Sequence, residues 1–112
     1  MENVLCTKET LAMCDNDEKF MKEMVGLMRD DITECLSLLA EAFNNNNPSQ
    51  TREVAHRVKG QAANMGAKDL MVKSKKVEDA AKTGFCTKLE YLSLVLSMKE
   101  FVRCTKEMAN IS

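Results

Sequence analysis

Apolar residues recur along this chain at steps of three and four, the period of helices that bury one side. The first long run takes in Phe20, Met21, Met24, Leu27 and Met28, then Ile32, Cys35, Leu36, Leu39 and Phe43. Asp17 stands ahead of it with the short acceptor side chain that starts helices. Gly26 and the triplet Arg29-Asp30-Asp31 interrupt the stripe, so the pattern admits one kinked helix or two. Asn44 to Asn47 end it in a turn.

A second helix is predicted over 48–65. Asn47 is its cap, Pro48 fits the first helical position, and Gln50 would complete a capping box. Gly66 is placed to stop it in the left-handed conformation that glycine adopts without strain. A third follows on Leu70, Val72, Val77, Ala80 and Ala81, closed by Lys82 and Gly84. The last is expected over roughly 86–108, with Leu89, Leu92, Val95 or Leu96, Met98, Val102 and Met108 as its buried stripe. Residues 6–14 read as a short leading helix within an N-terminal extension, 1–16. One proline, four glycines and no alternating run leave little room for strands. The expected fold is all-α: an antiparallel up-and-down four-helix bundle in a single domain over 1–112.

Composition agrees with that reading. A chain of 112 residues can bury a core without staples. Aromatic residues are few, so nine methionines, with leucine and alanine, must fill the interior. These residues favour helices, and methionine fills irregular gaps. The net charge is -1 with both signs interspersed, unlike the concentrated positive face of a nucleic-acid binder. Lys73, Lys75 and Lys76 are followed at once by Glu78 and Asp79, which reads as a solvated helix face. The five cysteines, Cys6, Cys14, Cys35, Cys86 and Cys104, are odd in number and form no CxxC pair. They read as free thiols in a reducing compartment. One histidine among scattered cysteines offers no metal set, and no metal or cofactor is expected. No apolar run is long enough to span a bilayer, and MENVLCTKETL lacks the basic segment and apolar core of a secretory signal. Both point to the cytoplasm.

The one histidine, His56, lies in AHRVKGQAANMGAKDL. At about 100° per residue, Val54, Val58, Ala62 and Met65 fall between roughly 180° and 240° from it. Arg52, Lys59, Gly60 and Ala63 fall within about 60° of it. The imidazole is therefore expected to face solvent near the middle of a rigid helix. Arg52 and Lys59 sit one turn away on either side, within reach of a group on the ring. Gly60 costs the helix up to about 1 kcal/mol against alanine, a cost that close approach by another protein would explain. A largely neutral imidazole is a nucleophile toward phosphorus, and the flanking cations would hold the oxygens of a phosphohistidine. No glycine-rich nucleotide loop accompanies it, so the phosphoryl donor and acceptor must be partners.

The run His56-Arg57-Val58-Lys59-Gly60, then Asn64-Met65-Gly66-Ala67-Lys68-Asp69-Leu70, resembles the histidine-containing phosphotransfer (HPt) domains of multistep two-component phosphorelays. The resemblance spans residues 17–108. It implies a four-helix bundle with the active histidine exposed on one helix. By resemblance His56 takes and gives the phosphoryl group, Lys59 stabilises it, and Gly60 leaves room for the partner. Gln61 departs from the small serine-like residue common after that glycine. Its expected bond is near the site or to a neighbouring helix. Ala63 keeps the face low. The implied partners are receiver domains of response regulators or hybrid sensor kinases, with Mg²⁺ on the receiver only. Met13, Met21, Met24 and Met28 are docking candidates, although each reads first as core.

Two functional readings follow. The first is a carrier that accepts a phosphoryl group on His56 from a receiver aspartate and passes it to another, with no kinase activity of its own. The second is a helical module that binds or inhibits a two-component protein without carrying phosphate. A monomer is expected in either case, since self-association over His56 would block docking. No nucleic-acid or membrane partner is expected.

Overall fold

The computed structural model describes residues 15–109, with side chains through residue 106. The expected leading helix over 6–14, Met13 and the Met108 side chain lie outside that set. Four helices follow in order: α1 Glu18–Asn44, α2 Pro48–Met65, α3 Lys68–Lys82 and α4 Lys88–Ala109. They run up and down and pack in a ring, α1 on α2, α2 on α3, α3 on α4 and α4 on α1. The bundle is elongated, 43 × 22 × 21 Å. Among the described residues, no helix is long and apolar enough to cross a membrane.

Local chemistry sets each boundary. Asp15 and Asn16 take the left-handed backbone that short polar side chains tolerate, and Asp17 Oδ1 accepts from the Phe20 amide at 3.0 Å. The helix then continues through Gly26 to Asn44 as one element. Its end uses Asn46, at φ 51°, in the role glycine usually fills. That turn also corrects the expected capping box at Asn47. Asn47 Oδ1 does accept from the Gln50 amide at 3.1 Å, but the Asn47 amide donates to the Ala42 carbonyl at 2.9 Å. The outgoing helix has taken the donor that Gln50 was expected to bind.

At the other end of α2, Gly66 lies at φ 67°, and the Ala67 amide returns to the Ala62 carbonyl at 2.9 Å. These are the bonds of a helix stopped by a left-handed residue. The reciprocal capping box occurs instead at the start of α4. There the Glu90 amide donates to Thr87 Oγ1, and the Thr87 amide donates to Glu90 Oε1.

The core is drawn from all four helices, with Ile32, Leu39, Val58, Leu70, Leu94 and Phe101 fully buried. Three sequence stripes need correction. In α1, Phe20 and Leu27 are exposed, while Val25 and Ala42 are buried. The stripe facing the core is narrower than the run of apolar letters. In α4 the leucines are misplaced: Leu89 is 79% exposed and Leu96 68%, and Leu92 also faces outward. Met98 is buried as expected, Val95 and Val102 are partly buried against the core, and Leu94, Phe101 and Cys104 join them inside. Val72 in α3 is exposed too, and Ser74, whose hydroxyl donates to the Leu70 carbonyl, occupies the buried position nearby. Cys35 and Cys86 are free thiols, and burial pushes Cys35 up to about 11. At the top of the bundle the rings of Phe43 and Tyr91 stack with centroids 4.2 Å apart, tying α1 to α4.

Candidate functional site

Helix α2 carries the site because its polar and apolar sides are cleanly divided. Val54, Ala55, Val58, Ala62 and Met65 are buried against the neighbouring helices. The side chain of His56, on the opposite face, is 68% exposed. Arg52, Gly60 and Ala63 are also exposed, and Lys59 and Gln61 are half-buried on the two flanks. The helical wheel thus placed this face correctly. A Cβ built on Gly60 would meet nothing within 4 Å, so internal packing does not demand glycine there.

The residue that organises the site is one that the charge run concealed. Glu78, on α3, is buried, its side chain only 7% exposed. Its Oε2 lies 2.7 Å from Nδ1 of His56, and its Oε1 accepts from Lys59 Nζ at 2.6 Å. The expectation that Glu78 belongs to a solvated face with Lys75 and Asp79 is corrected here. At helical spacing, Val77, Glu78 and Ala81 turn toward the bundle, while Lys75 and Asp79 pair with each other outside. The KSKKVED run gave no sign that one of its acids faces inward.

The electrostatics follow from these bonds. The hydrogen bond from Lys59 holds the Glu78 carboxyl below the usual carboxylate range, aided by His56 and opposed by burial. An ionised carboxylate can only accept, so the Nδ1 that faces it bears the ring proton. In the neutral ring the lone pair is then on Nε2. The ring is oriented at one nitrogen and carries a lone pair at the other.

The opposite flank of α2 is tied to α1. Gln61 Nε2 donates to Asp31 Oδ2 at 2.9 Å, which gives Gln61 a neighbouring-helix partner. Arg57 forks onto Asp31 and also donates to Glu34 Oε1 at 2.9 Å. Burial raises the Asp31 carboxyl, but bonds from Arg57 and Gln61 outweigh it, so it lies below its ordinary value. Of the methionines considered for docking, Met21 is buried core, and Met24 and Met28 are partly buried against that core. Among the described residues, no group of three or more His, Cys, Asp or Glu is arranged to hold a metal ion.

The family model for the Hpt domain matches residues 23–109. The chain is also similar in structure to the HPT domain from the Hpt sensor hybrid histidine kinase of Shewanella. That crystal structure aligns with a TM-score of 0.80 and 17% identity, over 93% of this chain and 92% of the other. At that identity the likeness speaks for the fold. No curated protein matches the chain.

Proposed function

The chain belongs to the Hpt domain family, and from that membership we propose that His56 is the residue on which it carries phosphate. Hpt domains are phosphorelay carriers that work with receiver domains; they are phosphotransfer intermediates and not autonomous kinases. The observation that carries the assignment to His56 is the Glu78 carboxylate on Nδ1 of an imidazole otherwise open to solvent.

The transfer uses groups in definite roles. Nε2 of His56 attacks the phosphorus of a receiver's phosphoaspartate in line with the leaving carboxylate oxygen. The N–P bond forms as the P–O bond breaks, and the electron pair leaves on the receiver's aspartate. Nδ1 keeps its proton throughout, and Glu78 stabilises the positive charge that develops on the ring. Lys59, already beside Glu78, supplies an ammonium to the phosphoryl oxygens. Arg52 can reach the same group from the preceding turn. Gly60 and Ala63 leave the face low enough for the receiver to approach. Delivery to a second receiver is the same step reversed. Mg²⁺ belongs to the receiver, whose aspartate needs it, and none is assigned to this chain. The carrier is read as a cytoplasmic monomer with its His56 face free.

The deciding experiment follows labelled phosphate from a phosphorylated receiver domain onto this chain. The expected label is acid-labile, base-stable and absent from His56→Gln. Equal label in that variant would overturn the assignment. A wild-type chain that binds the receiver without taking label would instead be a non-phosphorylated interaction module.

A further inference from the structure

The surface around His56 divides by charge across the helix that carries it. Helix α3 lies on the Lys59 side, as Glu78 shows, and α1 lies on the Arg57 side, as Asp31 and Glu34 show. On the α3 flank, Lys75 and Lys82 stand one turn to either side of Glu78 and are exposed. Arg52 is exposed on the same flank of α2, about 40° round the helix from His56 toward Lys59. Lys59 is balanced by Glu78, and Lys75 by Asp79 at 3.1 Å. Arg52 and Lys82 leave that flank positive. On the α1 flank Arg57 faces both Asp31 and Glu34. Glu53 is exposed about 60° from His56 toward Arg57 and adds to the negative side.

We propose that this polarity fixes which way round a phosphorylated receiver docks. The inference rests on the carrier reading above and adds the partner's chemistry to it. A receiver presents its phosphate from an acidic pocket, and that acidic side belongs over the Arg52–Lys82 flank. The partner must then carry basic side chains where it meets Asp31, Glu34 and Glu53. A receiver turned through half a circle would set acid against acid on the α1 flank and base against base on the α3 flank. Such like-charge contacts slow productive encounter and suppress wrong partners.

The test abolishes the polarity and leaves the net charge at -1. One chain carries Glu34→Lys with Lys82→Glu, and a second carries Glu53→Lys with Lys82→Glu, which spares the Arg57 ion pairs. Each is offered two donors: a receiver domain that phosphorylates the wild type, and phosphoramidate, which has no docking face. Urea denaturation checks that each variant folds. The expected result at low salt is at least about a tenfold slower transfer from the receiver in both swaps. Labelling by phosphoramidate stays at the wild-type rate, and salt slows the wild-type receiver reaction. Wild-type rates from the receiver in either folded swap, or equal slowing with both donors, would overturn the proposal. Failure of the carrier reading has a different signature: wild-type His56 takes no label from either donor, and this proposal falls with it.

Discussion

Glu78 on α3 meets His56 on α2 at 2.7 Å across 22 residues of sequence, from a position almost wholly out of solvent. A buried carboxylate is costly unless it is paired. Here Lys59 holds one oxygen at 2.6 Å and the imidazole holds the other. The three residues form one unit: Lys59 keeps Glu78 ionised, and Glu78 keeps the proton on Nδ1.

Glu78→Gln is therefore expected to slow phosphorylation of His56 by roughly tenfold, the effect of losing about 1.4 kcal/mol of transition-state stabilisation. The size of the side chain is preserved, so receiver affinity stays near wild type. Nitrogen NMR of the ring supplies the independent reading. The wild type shows a proton on Nδ1 in the neutral ring, and the variant a mixture of the two tautomers. An unchanged tautomer and an unchanged rate would remove Glu78 from the mechanism.

The exposed half of this site was legible in the sequence and the buried half was not. The wheel places His56, Arg52, Gly60 and Ala63 outward because all lie on one helix, where angular position follows from numbering alone. Glu78 comes from another helix, inside a run of alternating charge. Its inward turn depends on how α3 is rotated about its axis. Only the burial of Val77, Ala81 and Leu70 fixes that rotation, and Val72, apolar yet exposed in the fold, sets the apolar pattern off phase.

Gly60→Ala separates stability from docking. The added methyl meets nothing within 4 Å, so the helix gains in propensity and the isolated protein becomes more stable by up to about 1 kcal/mol. Urea denaturation measures that gain. Transfer from a receiver is expected to slow, because the methyl stands one turn from His56 on the approach side. A larger loss is expected for Gly60→Leu. Labelling by phosphoramidate stays unchanged in both. A destabilised Gly60→Ala chain would point to an internal reason for the glycine.

Acid is expected to weaken the α2–α3 connection. The Glu78 carboxyl in the folded chain lies below its ordinary value, chiefly through Lys59. Its contribution to stability is fully present above the ordinary carboxylate pKa and is lost as pH falls through the depressed folded value. Asp31, held down by Arg57 and Gln61 against the effect of burial, contributes with the same sign between α1 and α2. Urea midpoints measured from neutral pH downward should fall for the wild type. The gap between wild type and Glu78→Gln should narrow on the acid side. A gap that widened toward acid would reverse the sign and refute this account.

Boundaries were easier to read than rotations. Asn47, Pro48 and Gly66 mark the ends of α2 because each acts on the chain within a few residues of itself, and the helix runs from 48 to 65 as its sequence predicts. Thr87 and Glu90 carried an equally local signal for the start of α4, a threonine three residues before a glutamate. The apolar letters of α4 are harder, because leucines stand on both of its sides.

That ambiguity gives the last prediction. Leu94 is fully buried and Leu96, two residues on, is 68% exposed. Leu94→Ala removes packing from a core that also holds Met98 and Phe101, and is expected to cost about 2–5 kcal/mol. Leu96→Ala removes a side chain that solvent already surrounds, and is expected to change stability by no more than about 0.5 kcal/mol. Their helix propensities are equal before truncation and equal after it, so propensity cancels between the two variants. The difference in urea midpoint reports burial alone. Equal losses in the two variants would mean that the outer face of α4 is packed in solution, and the rotation of this helix would have to be revised.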